Sequence, residues 1–191
     1  MKVFVIVNNY LQAHLSQTTG WYIMADSAVS NTGKPFYLPE NLGKTVVSLS
    51  AAVKISRLGK AVSPKFAQRY YSDCAPALHF HLPDYASSLL KAGLPADPSR
   101  SFDKSLIVGE FLSNEGPECL EMWVNGQKKA EFSFDNLIYP INEIISEISV
   151  LNTIKMGDIL IPGLSEEITL NEGDLIEVKN GGATSFHVKV K

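Results

Sequence analysis

The sequence predicts a β-rich α+β fold, with about three short helices set among many short strands. Three patterns carry that reading. Val3–Val7 is an unbroken β-branched and aromatic run, the pattern of a buried strand. Residues 45–56 alternate: Thr45, Val47, Leu49, Ala51, Val53 and Ile55 share one face, and Val46, Ser48, Ser50, Ala52, Lys54 and Ser56 the other. Asn125-Gly126 stands between two strand-like segments, a strong short-range hairpin signal.

The remaining elements follow in order. Asn8-Asn9-Tyr10 ends the first strand. Residues 12–34 are mostly polar and read as a lid-like or mobile excursion, apart from the short Trp21-Tyr22-Ile23-Met24 run. Ser63 is placed as an N-cap with Pro64 at the first helical position, and that helix is expected to reach about Tyr71. Residues 75–82 form a strand with Ala75, Ala77, His79 and His81 on one face and Leu78, Phe80 and Leu82 on the other. Asp84 caps a short helix that Gly93 stops. Residues 118–124 and 127–134 are the two arms of the hairpin. Leu137, Ile141, Ile144, Ile145 and Ile148 recur at helical spacing, with Pro140 early in that helix. The final strand sets Phe186, Val188 and Val190 against His187, Lys189 and Lys191.

Composition narrows the function. The 191 residues suit one domain spanning 1–191. Lys plus Arg number 17 against 20 Asp plus Glu, so the basic excess of a phosphate-backbone binder is missing. Hydrophobic residues make up 45%, enough for a packed core, and no apolar run nears the ~20 residues that cross a bilayer. Neither a nucleic-acid nor a membrane partner is expected, and the cytoplasm is the expected compartment. Charged residues make up only 19%, which points to surface covered by a partner subunit. Cys74 and Cys119 show no metal spacing and read as small hydrophobes.

An ordered set of short motifs resembles the fumarylacetoacetate hydrolase family. They are Asn9-Tyr10, Pro35-Phe36-Tyr37-Leu38-Pro39, Arg100-Ser101-Phe102-Asp103, Gly109, and Met122-Trp123-Val124-Asn125-Gly126. Leu137-Ile138-Tyr139-Pro140-Ile141, Met156-Gly157-Asp158-Ile159-Leu160 and Gly173-Asp174 complete the set. The resemblance implies a mixed β-roll that dimerises, here through the β-rich C-terminal half. It also implies cleavage, decarboxylation or isomerisation of oxo-acids at a magnesium or manganese ion. In such sites a Glu-x-Glu and an Asp hold the metal, a Lys adds positive charge, and a His-x-x-Glu pair on a lid activates water.

This chain departs from that pattern at the chemistry. Ser48-x-Ser50 falls where the resemblance places Glu-x-Glu, and His79 where it places the Asp. His14-x-x-Gln17 replaces the His-x-x-Glu, Arg100 replaces the Lys, and of the Thr-Gly-Thr-Pro turn only Gly163 survives. His14, Gln17 and Arg100 are therefore the candidate catalytic residues. Ser48, Ser50, His79, Arg100 and Gly163 are the candidate substrate contacts. No metal ligand set, and so no metal cofactor, is expected; magnesium or manganese would return only with the family site.

The expected function is that of a catalytically impaired homologue with a pocket for a small anionic oxo-acid. An active hydrolase or isomerase on an acylpyruvate-like acid is the alternative. His79-x-His81 allows a third reading, a transition-metal site completed by His14 or Asp84; a hydrogen-bonded polar pocket is the simpler one. Ser48 and Ser50 read as polar wall, since no nucleophile elbow surrounds them. Asp103 either pairs with Arg100 or caps a turn. With the anionic ligands replaced, Arg100 leaves the pocket positive. His79 and His81 are expected to add charge at mildly acidic pH.

Overall fold

A computed structural model describes residues 1–11, 18–112 and 119–191. Its strands are β1 (Val3–Val7), β2 (Gly20–Met24), β3 (Val29–Asn31), β4 (Val46–Ile55), β5 (Tyr71–His81), β6 (Leu106–Val108), β7 (Leu120–Val124), β8 (Gln127–Phe132), β9 (Ile159–Ile161), β10 (Ile168–Thr169), β11 (Leu175–Asn180) and β12 (Ala183–Lys189). Three helices interrupt them: α1 (Pro64–Ala67), α2 (Pro83–Lys91) and α3 (Ile141–Leu151). One sheet runs β2-β1-β9-β4-β5-β6-β3, with β10 added to β4; the other runs β12-β11-β7-β8. The first is mixed, because β1–β9 and β3–β6 are parallel while its other pairs are antiparallel. This is the mixed α+β roll that the sequence predicts.

The two faces of β4 and β5 do different work. Val47, Leu49 and Ala51 of β4, with Leu78 and Phe80 of β5, pack against Leu120, Met122, Phe132, Ile176 and Val178 of the smaller sheet. Further along the same face, Val53 and Ile55 meet Ile144, Ile145 and Ile148 of α3. The opposite face carries Ala52, Ala75 and Ala77, which pack with Val3, Val5, Met24 and Ile161. Ser48, Ser50 and His79 lie on this second face, as the alternation predicts.

Asn9 and Tyr10, which end β1, act as staples. The Asn9 amide donates to the carbonyls of Pro162 (2.7 Å) and Tyr139 (3.0 Å) and accepts the Tyr139 N–H (2.8 Å). The Tyr10 hydroxyl donates to the Glu131 carbonyl and accepts from the Ser133 N–H and the Asn136 amide. Every polar atom is therefore matched in a place where leaving one unmatched costs about 1–3 kcal/mol. The hairpin is as read: Asn125 and Gly126 both have positive φ (51° and 76°), the turn that matches strand twist.

Several boundaries differ from expectation. Residues 12–34 are not one loose excursion: β2 pairs antiparallel with β1, and β3 pairs parallel with β6. Ladder bonds ordered a segment whose side chains carry little periodicity. Residues 12–17 lie outside the described residues, as does Glu118. The helix at Pro64 ends at Ala67, and its Ser63 side chain makes no cap bond. Tyr71 instead opens β5, where it pairs with Ile55. Asp84 sits in the first turn of α2 rather than at its cap, and its carboxylate accepts the Lys44 N–H (2.9 Å). Pro140 is the N-cap residue of α3, just outside it.

Asp158 ties the chain's start to the turn before β9. It accepts the backbone N–H of Lys2 (2.8 Å) and of Lys155 (2.9 Å), and the Lys2 ammonium lies 2.9 Å away. Burial alone would raise its pKa, but these donors hold it below the usual carboxylate range. The contribution to stability is therefore present above about pH 4 and is lost as acid protonates the folded carboxylate. Asp158→Asn should lower unfolding stability at pH 7 by about 1–3 kcal/mol and flatten the acid limb in urea titrations. An unchanged acid limb would show that the carboxylate carries no such linkage.

Candidate functional site

A cavity of about 310 Å³ opens at the polar end of the second face of β4 and β5. It lies at the small end of the roughly 300–1,000 Å³ typical of ligand pockets. Ser48 and His79, directly opposed across the β4–β5 ladder, form one wall, and His81 extends it. Val7 and Tyr22 come from the paired strands β1 and β2. Arg100 follows a single 3₁₀ turn after α2. Leu164, Ser165 and Glu167 come from the segment between β9 and β10.

That last segment is held by β4 itself. Ser165 and Leu49 exchange hydrogen bonds: the Ser165 N–H donates to the Leu49 carbonyl, and the Leu49 N–H donates to Ser165 Oγ (both 2.9 Å). Ser50 Oγ donates to the Gly163 carbonyl at 2.6 Å. A Cβ on Gly163 would lie 2.9 Å from Leu137 Cδ2 and 3.3 Å from the Asn9 carbonyl oxygen, so a larger residue here would have to push both neighbours aside. Neither Ser50 nor Gly163 lines the cavity; both work behind its wall. The structure thus gathers Ser48, His79 and Arg100 of the expected substrate contacts around one space. His14 and Gln17 lie outside the described residues.

His79 behaves differently from expectation. His79 is buried, and its Nε2 lies 2.8 Å from the Tyr22 hydroxyl. Burial drives its pKa down to about 3, and neighbouring His81 lowers it further; a hydrogen bond to the Arg100 backbone opposes the fall. Burial also raises the Tyr22 pKa, so that phenol keeps its proton and donates to Nε2. His79 is therefore neutral at mildly acidic pH and adds no charge for an anion. It is a neutral clip between β2 and the Arg100 turn.

Arg100 carries the fixed charge. Its guanidinium lies 4.8 Å from the Tyr22 ring centroid, a cation–π contact, and its Nε is buried without a hydrogen-bond partner. Asp103 makes no ion pair with it among the described residues. His81 Nδ1 lies 3.1 Å from Glu167 Oε1, while His81 Nε2 is a second buried atom without a partner. The sequence reading missed Glu167 altogether: it sits in a segment with no motif, 86 residues from His81.

Glu167 is the one carboxylate among the described wall residues and it faces His81 Nδ1; the rest of this donor set does not fit a hard dication. Ser50 has given its hydroxyl to Gly163, the His79 lone pair is taken by Tyr22, and Ser48 is neutral. Asp84, the proposed third ligand for a histidine-based metal, is not in the wall. Among the described residues no group of three His, Cys, Asp or Glu side chains is placed to hold a metal ion.

The geometry matches a known family. A sequence model of the fumarylacetoacetate (FAA) hydrolase C-terminal region matches residues 7–191, and the chain belongs to that family. A mitochondrial oxaloacetate tautomerase of Rattus norvegicus is 28% identical over 176 residues, covering 89% of this chain and 80% of its own. The oxaloacetate tautomerase YcgM of Escherichia coli is 23% identical over 168 residues, covering 84% and 77%. Among solved structures, the fumarylpyruvate hydrolase of Pseudomonas aeruginosa, in complex with Mn2+ and pyruvate, superposes with a TM-score of 0.91 at 17% identity. That match covers 100% of this chain and 89% of the other. The 2-hydroxyhepta-2,4-diene-1,7-dioate isomerase of Mycobacterium marinum gives 0.84 at 22% identity, covering 99% and 73%.

The depressed His79 pKa has a stability consequence. Between about pH 6.5 and pH 3 the unfolded chain binds a proton that native His79 refuses, so stability falls as pH falls through that window. His79→Gln, which keeps a polar side chain, should make the slope of urea-unfolding free energy against pH shallower between pH 6.5 and 4. An identical slope would mean that His79 is not held neutral by the fold.

Proposed function

We propose that this protein binds a small oxo-acid anion in the Arg100 pocket without a divalent metal, and that the metal-dependent C–C bond cleavage of its family is impaired here. One observation carries the reading. The pocket wall presents a buried, unpartnered guanidinium nitrogen beside two neutral groups, Ser48 and His79, at the positions where the family resemblance implies metal-holding carboxylates. An anion then needs no bridging cation: Arg100 can bind a carboxylate through its fork, and the partly desolvated wall strengthens that contact. The names of the relatives support the ligand class, since they act on oxaloacetate or were solved with pyruvate.

The test is calorimetric titration of oxaloacetate and pyruvate in the presence of a chelator, then with added magnesium or manganese. Binding should appear with the chelator and should not tighten on adding metal. Arg100→Ala should abolish it, and Arg100→Lys should weaken it about tenfold through loss of the fork. Equal binding by the Arg100→Ala protein, or binding that appears only with metal, overturns the reading.

We also propose a homodimer. Leu58, Val150, Leu151 and Met156 are exposed at 69, 60, 74 and 77%, and the Gly59–Ile154 bridge brings their segments together. Apolar surface gathered in this way is the mark of an interface. Light scattering should give twice the 20.9 kDa chain mass; a monomer mass across a wide concentration range would refute this.

A further inference from the structure

We infer that His81, oriented by Glu167, is a general base that enolises the oxo-acid held on Arg100, so that keto–enol tautomerisation proceeds at this pocket without a metal ion. The inference rests on the anion-pocket reading above; the reaction is the kind named for the oxaloacetate tautomerase relatives, and what is new is the base that would perform it here.

Two buried polar atoms in the described residues of the pocket wall lack partners, and they are complementary. Arg100 Nε–H is a donor; His81 Nε2 is an acceptor in the neutral ring. Buried polar atoms are rarely left unmatched, and a pair in one cavity is what a single ligand with both an acceptor and a proton to offer would satisfy. Such a ligand accepts a hydrogen bond at one point and offers a proton at another. A 2-oxo acid does this: its carboxylate accepts from Arg100, and its C3–H, or the O–H of its enol, faces a base.

The His81 tautomer follows from its neighbour. Glu167 Oε1 can only accept, so His81 Nδ1 donates across the 3.1 Å contact and Nε2 keeps its lone pair. A carboxylate behind an imidazole also stabilises the imidazolium that forms when Nε2 takes a proton. His79 cannot serve as this base, because its Nε2 accepts from Tyr22. Of the two histidines in the wall, His81 alone has both an orienting carboxylate and an open nitrogen.

The step balances within the substrate. His81 Nε2 takes a proton from C3, and the C–H electron pair becomes the C2–C3 double bond. The carbonyl π pair moves onto the C2 oxygen, where the Arg100 charge and the Ser48 hydroxyl can hold the developing negative charge. The imidazolium then returns a proton to that oxygen, giving the enol and restoring neutral His81. No bond other than C–H and O–H is made or broken outside the rearranged π system, and no oxidant, reductant or second substrate enters. Glu167 is a positioning residue: it touches the ring, not the substrate.

The experiment is hydrogen–deuterium exchange at the C3 methyl of pyruvate, followed by proton NMR in D2O with the full-length protein and a chelator, beside calorimetric affinity for the same compound. The wild type should accelerate exchange with the chelator present. His81→Gln should lower the protein-catalysed rate by about 10²-fold, within the usual range for removing a general base, while the pyruvate Kd changes less than about threefold. Glu167→Gln, at a side chain that is 47% exposed, should lower it about tenfold with the Kd and the circular-dichroism spectrum unchanged. Nitrogen-15 spectra should show His81 protonated on Nδ1 in the wild type. Binding without any acceleration of exchange would overturn this inference and leave the anion pocket standing; loss of binding itself would overturn the pocket reading. Exchange that survives His81→Gln, or that requires added magnesium or manganese, would also overturn it.

Discussion

The antiparallel pairing of β4 with β5 is the constraint on which the rest of the molecule depends. Its register sets Ser48 opposite His79 and Leu49 opposite Leu78. Because side chains alternate, one ladder commits one face to the core against the smaller sheet and the other to a second apolar cluster whose polar end opens into the pocket. A slip of one residue in either strand would drive Leu49 or Leu78 into the cavity and a serine or a histidine into the core. The smaller sheet and α3 both bear on the apolar face, and their burial holds the register.

What distinguishes the pocket is the way its charge is supplied. A bound dication brings a concentrated charge that can be removed; Arg100 brings a single delocalised one that cannot. The protein keeps that charge in place by indirect means. Tyr22 lies beneath the guanidinium, His79 fixes Tyr22, and the His79 ring also reaches the Arg100 backbone. A protonated His79 could not accept from Tyr22, so its neutrality is a requirement of this arrangement. The burial that suppresses its basicity thus serves the geometry around Arg100.

The sequence made the alternating strands, the hairpin and the α3 stripe legible because each is a local pattern with a direct physical cause. It placed Ser48, His79 and Arg100 together only through family resemblance, since 52 residues separate Ser48 from Arg100 and nothing local links them. The readings failed where order comes from pairing rather than from the segment's own residues. β2 has a polar approach and is fixed by β1; Tyr71 follows a helix signal but is taken by the ladder opposite Ile55. The state of His79 was equally invisible, because an imidazole's basicity is set by burial and by neighbours on other strands. Glu167 carries no signal of its own until the chain folds back past β4.

The hydrogen bond from Ser50 to Gly163 makes the present state hard to leave. An ionised glutamate at position 50 has no proton to give, and its charge would face the Gly163 carbonyl that the Ser50 hydroxyl now bonds. Fitting a carboxylate there means moving the segment from Pro162 to Ser165, which also forms part of the cavity wall. The hydroxyl at position 50 thus belongs to the construction of the wall rather than to the space in front of it: it ties β4 to the segment that supplies Leu164 and Ser165 to the cavity.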